Sequence, residues 1–142
     1  MQYRDIEPKI IIEPLLREKI NIPCEEINVY CFNGLPKIFI RFYDNETMSI
    51  WDEKFNSIDN IFNFKEKLVK GEIETAIKKA VNLSKKLSKD FNFVRVDWIL
   101  YKNKLYFGEL TFTPYSGFIK FSNQTYNLKL GKMINLKGNK ND

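Results

Sequence analysis

Asn33-Gly34 stands between two strongly apolar runs, INVYCF and LPKIFIRFY. Both residues accept positive φ, which the two central positions of a type I′ turn demand. The two runs are therefore expected to fold back on each other as a hairpin. Proline lacks the N–H a ladder needs, so Pro36 places the start of the second strand at a sheet edge or at Lys37. TMSIWD reads as a further short strand. Lys9–Glu13, with its three isoleucines, reads as a buried strand interrupted at Pro14.

Downstream, GEIETAIKKAVNLSKKLSKDF carries the spacing of an amphipathic helix. Ile73, Ala76, Ile77, Ala80, Val81, Leu83 and Leu87 form its apolar side. Residues 56–70 read as loop plus a short helix. The stretch FVRVDWILYKNKLYFGELTFTP, Phe93 to Pro114, reads as a second hairpin, and the polar residues 132–142 as a frayed tail. Strands, one long helix and more strands predict an α+β fold, a mainly antiparallel sheet packed against the long amphipathic helix.

The chain's 142 residues suit one domain, and 44% hydrophobic content supports a real core. The absence of histidine excludes Ser-His-Asp and Cys-His catalysis and imidazole metal sites. Two cysteines, Cys24 and Cys31, are too few for structural zinc; Cys31 reads as a small buried hydrophobe. The net charge of +5 comes without a basic run, so no nucleic-acid partner is expected. No apolar run approaches the roughly 18 residues of a membrane helix, and a reducing, cytoplasmic setting is the expectation.

The second hairpin places charges among large apolar residues, and its register decides what they face. With a two-residue loop, Lys102-Asn103, charged and apolar groups share each face. With a three-residue loop, Lys102-Asn103-Lys104, Val94 meets Phe112, Val96 meets Leu110 and Trp98 covers Gly108 on one apolar face. The other face then pairs Arg95 with Thr111, Asp97 with Glu109 and Ile99 with Phe107. A one-residue slip swaps faces, so the buried pattern selects the second register, with Asn103 or Lys104 left-handed. Directly opposed carboxylates have Cβ atoms roughly 4.5–5.5 Å apart and repel unless positive charge reconciles them. Arg95 supplies part of it, and a hard cation such as Mg2+ would supply the rest. An Arg95–Asp97–Glu109 ion network without a ligand, or one protonated carboxyl, satisfies the same pattern. Glycoside hydrolysis fits less well, because its two carboxyls work across a sugar cleft.

VRVDWILYKNKLYFGELTFTP resembles the metal-binding hairpin of the ATP-grasp superfamily, where an R-x-D strand faces an N-E-x-N strand. An ordered set of segments is closer still to the ATP-grasp family named for teichuronopeptide biosynthesis, found with polysaccharide and capsule genes. Those segments are KIIIEPLL, CFNGLPK, KKLSKDFNFVRVD and GELTFTPYSGF, and the resemblance runs from Tyr3 to Leu130. It implies that residues 1–131 form the C-terminal, nucleotide- and metal-binding subdomain of such an enzyme.

The roles it implies are specific. Glu13, Pro14, Leu15 and Leu16 would form the hinge that meets adenine through backbone groups. Asp97 and Glu109 would hold Mg2+ bridging the ATP phosphates, with Thr111 where the superfamily often has a metal-binding Asn. Arg95 would be catalytic, stabilising charge on the phosphoryl group or acyl phosphate. Asn28 stands where relatives often carry a basic residue that grips phosphate. The implied activity is ATP-dependent joining of a carboxylate to an amine in cell-surface polysaccharide synthesis, and a glycosyltransferase label is expected for some relatives. The implied ligands are ATP, Mg2+ and a small-molecule or polysaccharide-precursor substrate. The resemblance starts at about the hinge, so a lysine-bearing N-terminal half or partner chain is expected to complete the clamp. The alternatives are a non-catalytic remnant and a basic module binding an anionic polymer.

Overall fold

The computed structural model describes residues 7–16, 24–59, 61–62, 65–67, 75–122 and 124–135. Among them the chain is α+β, with a mainly antiparallel sheet and two α-helices. The expected first hairpin forms from β1 (Glu25–Phe32) and β2 (Leu35–Phe42). Asn33 and Gly34 take φ of 51° and 76°, as a type I′ turn requires. β2 begins at Leu35, and Pro36 meets the edge alternative rather than a start at Lys37: it pairs with Cys31 beside a register shift, and the β2–β3 pairing begins only at Ile38. The third strand, β3 (Thr47–Asp52), pairs antiparallel with β2.

The short helix expected within residues 56–70 is absent among the described residues. β4 (Ser57–Ile58) and β5 (Lys65–Glu66) both pair with β3, and Phe62 bridges to Phe121. Acidic side chains here capture the donors that helical carbonyls would otherwise take. Asp52 Oδ1 accepts from Lys54 N at 2.9 Å and Asn56 N at 2.8 Å. Glu66 Oε1 accepts from Ile61 N and Phe62 N, each at 3.1 Å. Such local side-chain bonds favour turns over helix.

The amphipathic stretch forms α1 (Thr75–Leu87), 13 residues long; Ile73 lies outside the described residues. Its buried stripe is Ile77, Ala80 and Ser84, while Leu87 is exposed. Lys85 and Lys86 in the last turn suit the helix dipole. β6 (Phe93–Tyr101) and β7 (Lys104–Thr111) complete the sheet, whose order is β4-β3-β2-β1-β6-β7 with β5 beside β3. A 3-10 turn (Pro114–Gly117) and α2 (Gln124–Gly131) follow. No helix among the described residues is long and apolar enough to cross a membrane.

Strand alternation separates two cores. On one face Ile27, Val29, Phe39, Trp51, Val96 and Trp98 pack with Ile77 and Ala80 of α1. On the other, Tyr30, Phe32, Ile38, Ile40 and Ile50 pack with Leu130 of α2. Met133 and Ile134 join this second core, and Asn33 Nδ2 donates to Met133 O at 2.7 Å. Residues 132–135, read from sequence as the start of a polar tail, are thus tied to the first hairpin's turn. Cys31 is buried in β1 and Cys24 is half-buried, both as free thiols.

Lys9–Glu13 is not a buried strand. Residues 7–16 adopt no helix or strand, and Ile10 and Ile12 are 93% and 91% exposed. An isoleucine run becomes a buried strand only where a neighbouring edge accepts it, and no described strand pairs with this one.

The second hairpin corrects the sequence reading most informatively, because it uses both registers. Near the turn Tyr101 pairs with Lys104, Leu100 with Leu105 and Trp98 with Phe107, around a two-residue turn. Lys102 and Asn103 are the left-handed residues, at φ 48° and 58°. Beyond a shift between Val96 and Trp98 the pairing becomes Val96 with Leu110 and Arg95 with Thr111. The physical reason is parity. Phe107 and Leu110 are three residues apart, so no single register puts both on the helix face. A bulge at Gly108-Glu109, opposite Asp97, absorbs the odd residue and keeps Leu105, Phe107 and Leu110 with Leu100, Trp98 and Val96.

Gly108 is required by this approach. A Cβ there would lie 3.0 Å from the Asp97 carbonyl oxygen. Gly108→Ala is therefore expected to cost about 1–3 kcal/mol in urea denaturation and to shift the Glu109 amide resonance, as overpacking against backbone does.

Candidate functional site

The face of the sheet opposite α1 changes character along its length. Toward α2 it is apolar; toward the open end it carries Glu26 and Asn28 of β1, Arg95 and Asp97 of β6, and Glu109 and Thr111 of β7. Period-2 alternation alone puts these on the face away from Val29, Val96 and Leu110. Asn28 is the direct cross-strand partner of Asp97, and Arg95 pairs with both Tyr30 and Thr111.

Arg95 and Asp97 form a bidentate pair. Nε donates to Oδ1 and Nη2 to Oδ2, each at 2.7 Å, and both side chains are nearly 90% buried, at 11% and 12% exposure. The rings of Tyr30 and Tyr115 lie 5.9 Å and 5.7 Å from the guanidinium carbon. Burial works against the guanidinium charge, but the hydrogen bonds and charge of Asp97 outweigh it and hold Arg95 firmly protonated. Burial likewise pushes the Tyr30 hydroxyl up to about 12, with Arg95 pulling the other way. Tyr115 is raised by burial, again against Arg95.

Thr111 brings the two expected carboxylates together. Its Oγ1 lies 2.9 Å from Asp97 Oδ2 and 2.8 Å from Glu109 Oε1, and accepts from Arg95 Nη2 at 3.4 Å. A hydroxyl has one proton to give. It donates to one carboxylate, and its contact with the other is oxygen against oxygen until a proton or cation intervenes. The donor set is all oxygen, which suits Mg2+; that ion commonly takes one or two protein carboxylates and completes its shell with water and phosphate. Among the described residues no group of three or more acidic, cysteine or histidine side chains is arranged to hold a metal. The set fits a metal shared with phosphate better than an all-protein cage.

Beside this cluster lies an open cleft of about 340 Å3, bounded by Cys24, Glu26, Asn28, Asp44, Arg95 and Tyr115 among others. Partial burial raises the Glu26 carboxyl; Asp97 and Glu109 push the same way and Arg95 opposes. Asn28 is 4% exposed, and its Oδ1 is buried without a hydrogen-bond partner. Leaving such an acceptor unpaired costs about 1–3 kcal/mol.

Of the residues expected at the site, Arg95, Asp97, Glu109 and Thr111 come together. Glu13, Pro14 and Leu15 lie on the exposed segment, and Leu16 is tied to the cleft's edge because its carbonyl accepts the Cys24 thiol. Tyr30 and Tyr115, the walls around Arg95, were missed in the sequence. Glu26, Asn28 and Tyr30 do alternate with Ile27 and Val29, so their shared face was visible; their neighbour was not. No curated protein and no solved structure matches the chain. The residues on this face nonetheless fall within a family match that spans residues 1–135: the chain belongs to the TupA-like ATPgrasp family.

Proposed function

We propose that this chain is the nucleotide- and Mg2+-binding part of an ATP-grasp carboxylate–amine ligase of cell-surface polysaccharide synthesis. The observation that carries the reading is the Thr111 hydroxyl, which holds Asp97 and Glu109 at hydrogen-bond distance with one proton between them. Membership of a family that generally binds ATP and Mg2+ supports it. When bound, Mg2+ would neutralise charge on the phosphate oxygens.

The chain's own residues have distinct tasks in this reading. Asp97 and Glu109 hold the cation, and Thr111 keeps the two carboxylates in place. Arg95, clamped by Asp97 and two rings, presents a fixed positive charge to a phosphoryl group or acyl phosphate with little reorganisation. Backbone groups of Glu13–Leu16 meet the adenine, beside the cleft wall that Cys24 forms. A lysine-bearing half, in the same polypeptide or a partner, completes the ligase.

Isothermal titration calorimetry with Mg-ATP tests this. Saturable binding is expected, weakened at least roughly tenfold by Glu109→Gln, about 1.4 kcal/mol, and lost on chelating the metal. Glu109 is exposed, so its substitution leaves the core alone. No binding at ~1 mM nucleotide, or equal binding by the variant, would reject the reading in favour of a non-catalytic remnant.

A further inference from the structure

We propose that the cleft beside Asp97 is the subsite for a primary ammonium group, held by the carboxylates of Glu26 and Asp44 and the side-chain carbonyl of Asn28. The inference rests on the ligase reading above and gives its amine substrate a location.

The charge of the cleft favours a cation. Glu26 and Asp44 line the cleft, and Arg95, which also lines it, has its Nε–Nη2 edge engaged by Asp97. Asp44 stays ionised, because its Oδ1 accepts from Glu46 N at 2.8 Å and Thr47 N at 2.7 Å and these bonds hold its carboxyl below the usual range. A bare phosphate entering here would meet the Glu26 and Asp44 carboxylates beside an Arg95 whose charge is shared with Asp97. A cation would meet complementary charge.

Asn28 favours the same occupant independently of charge. Its Oδ1 is an acceptor buried without a partner, on a side chain that lines this cleft. An ammonium brings three donors and no acceptor, so it satisfies a carbonyl and two carboxylates together. Asn28 also pairs directly with Asp97 across β1 and β6. Cross-strand partners have Cβ atoms roughly 4.5–5.5 Å apart. An amine seated here therefore lies one strand away from the carboxylates proposed to hold Mg2+, within reach of an activated carboxyl at that site.

The probe is 1,4-diaminobutane, titrated into the 15N-labelled full chain without nucleotide or metal, at constant ionic strength. Saturable shifts of the Glu26, Asn28, Asp44 and Asn45 amides are expected, with none from butane-1,4-diol. Glu26→Gln should weaken the binding by roughly two- to fivefold, and Asp44→Asn should do the same while keeping the turn-capping oxygen. Asn28→Leu adds a third arm, and its spectrum reports whether it folds. The proposal is overturned if no shifts appear at these residues, or if the diol reproduces them. It is equally overturned if K+ or Mg2+ produces the same shifts at the same concentration, or if both charge variants bind as the parent does. Because nucleotide is absent, failure here leaves the Mg-ATP result standing, and failure of Mg-ATP binding leaves this result standing.

Discussion

Asp97→Ala is expected to destabilise the chain by about 3–5 kcal/mol, the usual cost of removing one partner from a buried ion pair. Arg95 is 11% exposed and makes both of its short hydrogen bonds to this carboxylate. Without Asp97 the guanidinium keeps its charge between two tyrosine rings, with only the Tyr30 hydroxyl and Thr111 Oγ1, the latter at 3.4 Å, as neutral oxygen partners among the described residues. The double substitution Arg95→Met with Asp97→Leu should recover most of that loss, since replacing a whole buried pair by apolar groups is often neutral or stabilising. Urea denaturation of the parent, both single variants and the double variant closes the cycle. A double variant as stable as the parent, yet unable to bind Mg-ATP, would show that the pair is kept for chemistry. A double variant as unstable as Asp97→Ala would show that the sheet itself depends on the pair, and would weaken the case for a dedicated site.

The acidic pair was legible in the sequence because R-x-D and E-x-T have the strand's own period, so each motif commits its residues to one face. Which strand lies beside them was not legible. β1 inserts between β2 and β6, and that long-range choice brings Glu26, Asn28 and Tyr30 to Arg95 and Asp97. The bulge was missed for a different reason: testing one register at a time hides a hairpin that changes register at a glycine. Phe107 and Leu110 carried the signal, since their odd separation conflicts with continuous pairing. Lys9–Glu13 failed because composition was read as burial, whereas burial depends on what faces the segment.

Trp98→Ala is expected to cost about 3–5 kcal/mol, as for other large-to-small changes in packed cores. Trp98 is 6% exposed, sits between sheet and α1, and meets the Phe107 ring edge-on at 5.9 Å. Its indole N–H donates to Ser84 Oγ at 2.8 Å, on the helix stripe where the apolar pattern has a gap. The gap is therefore matched by a partner: the indole N–H offsets the desolvation of a fully buried hydroxyl. Trp98→Phe keeps most of the ring and removes the donor, and should cost about 1–3 kcal/mol. Ser84→Ala strands the N–H instead and should cost a similar amount, with the double variant recovering part of the sum. Strict additivity would mean that the two groups are not paired in solution. The effect should also reach the opposite face, because Trp98 adjoins Asp97 at the bulge and anchors the shorter register on the helix side. Losing the indole frees the hairpin to slide toward one continuous register, which changes where Glu109 and Thr111, together on β7, stand relative to Asp97 on β6. In Trp98→Ala, Mg-ATP affinity should therefore fall even under conditions where the variant is fully folded; unchanged affinity would show that the bulge holds the carboxylates without help from the core.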